Sequence, residues 1–143
     1  TRQCSTSFGF TYESAFRALD ELLSRIKINK PLAEIYIKNH PRDRELQFWC
    51  KLTEKYGLKQ LESSVIDFAR SNSLQCFHLF TSLVVPLSKI GIKCFDVSPY
   101  DTDLVNGSEL IVDYLKVQNE LDHSVLVDVF DSKGLDRIIC NAE

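Results

Sequence analysis

Apolar residues recur three and four positions apart from Thr11 to Ser88, and beyond Ser88 that rhythm gives way to short β-branched runs. The first spacing lines one face of an α-helix, while Val- and Ile-rich runs bounded by Gly, Asn or Asp suit strands. A mainly α fold is therefore predicted: about five amphipathic helices in antiparallel pairs, then a small α/β segment of strand, helix and strand. At 143 residues the chain fits a single domain, divided into an arm over 1–9, a helical array over 10–88 and an α/β segment over 89–143. It contains no Met and opens on Thr1, which suggests a piece of a longer protein.

The predicted boundaries follow from local chemistry. Thr11 can cap a first helix whose inward face carries Ala15, Phe16, Leu19, Leu22, Leu23 and Ile26, and Asn29-Lys30-Pro31 closes it. Pro31 opens a short second helix with Leu32, Ile35 and Tyr36 inward. That helix stops at His40, because a residue before proline avoids the α region. Asp43 can cap a third, with Leu46, Trp49, Cys50, Thr53 and Tyr56 inward and Gly57 as a left-handed terminator. Leu58, Leu61, Val65, Phe68 and Ala69 define a fourth helix. Cys76, Phe77, Phe80, Leu83 and Val84 define a fifth that Pro86 ends or bends. Further on, Ile90 to Val97 reads as a turn and a strand, and Leu110, Ile111, Tyr114, Leu115 and Val117 as a helix. Ser124 to Phe130 is the best strand, Asp131 to Gly134 a turn, and Leu135 to Cys140 a last strand or a short helix. A parallel crossover and a hairpin both fit this tail.

The first two helix pairs repeat with a step close to the roughly 33–34 residues of helix-hairpin repeats. Within the second pair, Trp49-x-x-Leu52-Thr53-x-x-Tyr56 resembles the first helix of a tetratricopeptide unit. Thr53 stands where that family has a small residue, and Val65 and Ala69 stand where it prefers Ala and a large aromatic. The first pair has no matching Trp or Tyr pattern, so a generic array of helix pairs is the simpler reading.

Composition narrows the partners. Seventeen Lys plus Arg against twenty Asp plus Glu give a net charge of −3, whereas a domain held by nucleic-acid backbone shows a basic excess or stripe. The apolar runs, of which Ser82 to Leu87 is typical, fall far short of the ~20 residues that cross a bilayer. No membrane partner is expected, and no signal-peptide pattern opens the chain. Five cysteines (Cys4, Cys50, Cys76, Cys94 and Cys140) are odd in number and widely spaced, and four adjoin apolar residues. They read as reduced, buried thiols of an intracellular protein, cytoplasmic or nuclear.

The most suggestive chemical set is acidic. Asp96 ends one predicted strand, Asp128 and Asp131 end another, and Asp101 and Asp103 lie between. Carboxylates outside the carboxyl ends of parallel strands can bind Mg²⁺ and clamp a phosphoryl oxygen, although Asp is also an ordinary turn residue. Cys76-x-His78 diverges on a helix, and no second ligand pair completes a zinc site. His40 and His123 fall in loops, and Gly91, Gly107 and Gly134 are isolated turn formers rather than a phosphate loop. Arg42, Arg44, Lys51, Lys55 and Lys59 form a loose basic stretch interrupted by Glu45 and Glu54. Phe8 and Phe10 place two aromatics in the arm, able to dock on this domain or on a partner.

With no catalytic constellation and no cofactor motif, none of either is expected. The expected function is a protein-interaction or scaffold module of a larger intracellular protein. It would take a segment of another protein, or a peptide, in a groove formed by the second to fifth helices. A divalent-metal phosphoesterase or nuclease using Asp96, Asp128 and Asp131 is the alternative. A helical nucleic-acid-binding domain using Arg42, Arg44, Lys51, Lys55 and Lys59 is the third.

Overall fold

A computed structural model describes residues 10–38, 46–79, 81, 83–101, 105, 109–121 and 123–141. Along them helices and strands alternate: α1 (Tyr12–Asn29), β1 (Tyr36–Ile37), α2 (Leu46–Tyr56), β2 (Lys59–Gln60), α3 (Val65–Ser71) and β3 (Cys76–His78). Then follow α4 (Val84–Lys89), β4 (Cys94–Asp96), α5 (Glu109–Leu121), β5 (Ser124–Leu126) and α6 (Ser132–Cys140). All strand pairs among the described residues are parallel. β1 pairs with β2, and β3, β4 and β5 form a sheet in chain order. The chain is rich in helix, but its architecture is mixed α/β, and β-α-β units replace the antiparallel helix pairs expected before Ser88.

Three predicted helices are corrected. The second is a turn leading into β1, the fourth divides into β2 and α3, and the fifth divides into β3 and α4. Strands of two or three residues are too short to display a period of two, and a parallel strand covered on both faces is apolar throughout. In Leu74 to Leu79 the apolar Leu74, Cys76, Phe77 and Leu79 do not alternate cleanly, and the Leu74–Phe77 and Cys76–Leu79 spacings of three imitate a helix. Pro86 ends no helix; it sits in the first turn of α4, where its missing N–H has no intrahelical partner to lose.

The strand expected over Ser124 to Phe130 shortens to β5, and the turn expected over Asp131 to Gly134 is the cap and first turn of α6, while other local signals hold. Thr11 caps α1 through a reciprocal box, accepting from Ser14 N at 3.1 Å while its own N–H donates to Ser14 Oγ at 3.0 Å. Gly57 ends α2 at φ 65°, a region that only a residue without Cβ enters freely. The tail is the parallel crossover β4–α5–β5, and Leu135 to Cys140 belongs to α6.

Alternation along the strands builds two cores. Phe77, Phe95, Val97, Val125, Val127 and Val129 pack with α1, with Leu52 of α2, and with Leu135 and Ile139 of α6. On the opposite face Cys76 and Cys94 meet Ala69 of α3 and Val84 and Leu87 of α4. Helices therefore cover both faces of the three-stranded sheet, as a parallel sheet requires. α6 docks along α1, and Asp136 is clamped there by the Arg25 guanidinium and by Asn29 Nδ2 at 2.8 Å. Phe10 is buried and meets Tyr100 edge to face, with centroids 5.9 Å apart, so this aromatic docks on the domain itself. Phe8 and the rest of the 1–9 arm lie outside the described residues. No helix among the described residues is long and apolar enough to cross a membrane.

Candidate functional site

Parallel register brings the polar side chains of three strands onto one face. Cys76 stands opposite Cys94 and Cys94 opposite Ser124; two pairs further on, His78 stands opposite Asp96. Side chains two residues apart share a face, so Cys76, His78, Cys94, Asp96 and Ser124 line the face that α3 and α4 cover.

Asp96 closes β4 and is only 3% exposed. Its Oδ1 accepts from Ser98 N at 2.9 Å and its Oδ2 accepts from Tyr100 OH at 2.8 Å. The first bond is the local Asx turn that stops the strand; the second fixes a phenol over the carboxyl edge of the sheet. Burial, and then the neighbouring carboxylate, push the Tyr100 phenol well above its ordinary range. The same two causes push Tyr114 up to about 12, and its OH donates to Thr81 O at 3.0 Å. Both phenols therefore stay protonated donors near neutrality. Ser98 Oγ, in a residue 5% exposed, has no hydrogen-bond partner among the described residues.

His78 is the second titratable group of this face. One ring nitrogen, Nδ1, faces the Leu79 carbonyl, and Nε2 lies 2.7 Å from Ser124 Oγ. A carbonyl only accepts, so Nδ1 carries the proton and Nε2 accepts from the serine. Desolvation lowers the His78 pKa and the Asp96 carboxylate opposes that shift, which leaves a neutral imidazole as the native form. Behind it, Cys94 Sγ donates to Ile92 O at 3.8 Å, and the neighbouring Cys76 together with burial keeps Cys94 a thiol. Cys76, Cys94, Cys50 and Cys140 are all free, but Cys50 and Cys140 are exposed rather than buried.

The three carboxylates singled out in the sequence have separate local duties. Asp96 is interior; Asp128 is exposed and accepts from Phe130 N at 2.9 Å; Asp131 is exposed and caps α6 by accepting from Gly134 N at 3.3 Å. Among the described residues, no three His, Cys, Asp or Glu side chains surround a point where an ion could sit. Of the basic stretch, Lys55 pairs with Asp20 at 2.8 Å and Lys59 with Glu34 at 2.9 Å. Arg42 and Arg44, like Asp103 and His40, lie outside the described residues. Sequence reasoning found Asp96 from its place at a strand end. It missed Ser98, Tyr100 and Tyr114, whose convergence depends on a loop and a helix folding back over β4.

The chain matches the protein family described as capsule polysaccharide biosynthesis protein over residues 3–96, a stretch that runs through the end of β4. No curated protein and no solved structure matches it.

Proposed function

We propose, from the premise that this chain belongs to the capsule polysaccharide biosynthesis protein family, that it binds a saccharide substrate of capsule assembly at the carboxyl ends of β3 and β4. One observation carries this reading: a buried carboxylate at the end of the middle strand fixes Tyr100 beside a Ser98 hydroxyl that has no partner among the described residues. Open parallel sheets bind ligands outside the carboxyl ends of their strands. Tyr100 and Tyr114 supply aromatic faces for sugar C–H groups, and their phenolic oxygens, whose protons go to Asp96 and to Thr81 O, accept from sugar hydroxyls. Asp96 serves as the positioning residue that holds Tyr100. The test is a titration of the ¹⁵N-labelled chain with oligosaccharides released from capsule polysaccharide. Saturable shifts at Asp96, Ser98 and Tyr100 are expected, with loss of binding in Tyr100→Leu. Invariant spectra at those residues would reject the reading.

A second reading retains the interaction module of a larger intracellular protein, binding another protein or a peptide. It is favoured by the exposure of Leu110, Val117 and Leu121 along one stripe of α5, and of Leu126 on the outer strand β5. A helix stripe of this kind is a common peptide or protein contact. Capture of a partner by the full-length protein, abolished by Leu110→Glu with Leu121→Glu, supports it; capture unaffected by that double variant removes it.

A further inference from the structure

We propose that Cys76 and Cys94 are a reversible redox couple, a pair of thiols that hydrogen peroxide closes to a disulfide across β3 and β4. Parallel register sets the two residues directly opposite each other. Neighbouring strands lie about 4.7–4.9 Å apart, inside the roughly 4.4–6.8 Å that a disulfide spans between α-carbons. Both side chains leave the same face of the sheet, both thiols are free, and both pack with Ala69, Val84 and Leu87. The exposed Cys50 and Cys140 belong to α2 and α6, away from this pair of strands.

The surroundings of the two sulfurs differ as a peroxide-reactive pair requires. Cys76 is half-buried, whereas Cys94 is 0% exposed. The Cys94 thiol beside it holds Cys76 below the ordinary cysteine pKa, with burial opposing that shift. Cys94 is pushed the other way, above its ordinary value, by Cys76 and by burial. Redox-responsive cysteines combine an accessible thiolate with a resolving thiol nearby, so Cys76 is the attacking sulfur and Cys94 the resolving one. Cys94 gives up little in that role, since its proton has only the long 3.8 Å contact to Ile92 O.

The chemistry balances in two steps. Cys76 Sγ, as the thiolate, attacks one oxygen of the peroxide; the O–O bond breaks, and the departing hydroxide takes up a proton to become water. Cys94 Sγ then attacks the sulfur of the Cys76 sulfenic acid. The S–S bond forms, the S–O bond breaks, and the leaving hydroxide carries off the Cys94 proton as a second water. Two electrons pass from the sulfur pair to the peroxide, and a dithiol returns them by thiol–disulfide exchange.

The test treats the native full chain with hydrogen peroxide, blocks the remaining thiols under denaturing conditions and maps disulfides after trypsin. Lys89 and Lys93 lie between the two cysteines, so the bond would join two separate peptides. The expected product has lost two hydrogens, links Cys76 to Cys94, leaves neither open to alkylation and reverts with dithiothreitol. Its melting midpoint should rise by roughly 5–10 °C, because the bond closes a ring over residues 76–94 that holds α4. Cys76→Ser should abolish the link and leave Cys94 open to alkylation after unfolding. Should that variant not fold, the map of the unaltered chain decides alone. Bonds made through Cys4, Cys50 or Cys140 instead, over-oxidation of Cys76 without a link, or two unreacted thiols would each overturn the couple. So would a lower midpoint in the linked protein, because the strands would then have had to move to make the bond. Saccharide binding at the carboxyl ends of the strands plays no part in these outcomes.

Discussion

Truncating Leu135 to Ala should destabilise the domain by about 3–4 kcal/mol. Leu135 has 0% exposure and lies in the cluster that joins α6 to Leu19, Leu22 and Leu23 of α1 and to Val127 and Val129. The change removes three carbons, worth roughly 0.8 kcal/mol each when buried. The cavity they leave adds the remainder, since buried Leu→Ala changes span about 2.7–5.0 kcal/mol. With an unfolding entropy of about 2.1 cal/mol/K per residue, the chain as a whole has roughly 0.3 kcal/mol/K, so the midpoint should fall by about 10–13 °C. Ala is a better helix former than Leu, so helix propensity works against the loss and cannot produce it. Melting followed by circular dichroism reads the shift, with Leu126→Ala as the control. Leu126 is 61% exposed and its truncation should stay within about 0.5 kcal/mol. A fall of less than about 3 °C in Leu135→Ala would show that α6 is not a packed layer of this core.

Other perturbations reach other parts of the fold. His78 has a depressed pKa because burial disfavours its charged form, so the unfolded chain takes up that proton more readily. Stability from this group is present above about pH 6.5 and is lost as pH falls; His78→Gln should flatten the pH 5–7 limb of a denaturation series, and an unchanged slope would contradict the buried imidazole. Asp136 is held below the ordinary carboxylate range chiefly by its bond from Arg25. Its contribution is complete above about pH 5 and lost toward pH 2, so Asp136→Asn should remove part of the acid dependence, which chemical denaturation at stepped pH would detect. Native alkylation followed by peptide mapping should label exposed Cys50 and Cys140 and spare buried Cys94 until denaturant is added; equal labelling of Cys94 would place β4 at the surface.

What the sequence revealed tracks the length of each element. α1 spans eighteen residues with a cap and a closing proline nearby, so its start, face and end are all legible from spacing and capping chemistry. β1, β2 and β3 are two or three residues long, and nothing inside so short a run distinguishes period two from the first turn of a helix. Their identity comes from partners distant in sequence, such as Lys59 donating to Ile35 O at 2.9 Å and Val97 to His78 O at 2.9 Å. The candidate sites divide in the same way. Asp96 carries a local signal as an acid closing a β-branched run. Tyr100 and Ser98 acquire meaning only once the chain beyond β4 folds back over the end of that strand. Asp131 was legible as punctuation, but it starts a helix where a turn was expected.

The parallel three-stranded sheet decides between an α/β unit and a stack of helices, and amide hydrogen exchange with cross-strand nuclear Overhauser contacts tests it directly. Val97 N–H, bonded to His78 O, and Val127 N–H, bonded 2.8 Å from Asp96 O, should exchange slowly, with contacts linking Cys76 to Cys94 and Cys94 to Ser124. Fast exchange at both amides, with sequential helical contacts running unbroken from Ser73 to Val84, would contradict the sheet and the site placed at the carboxyl ends of its strands.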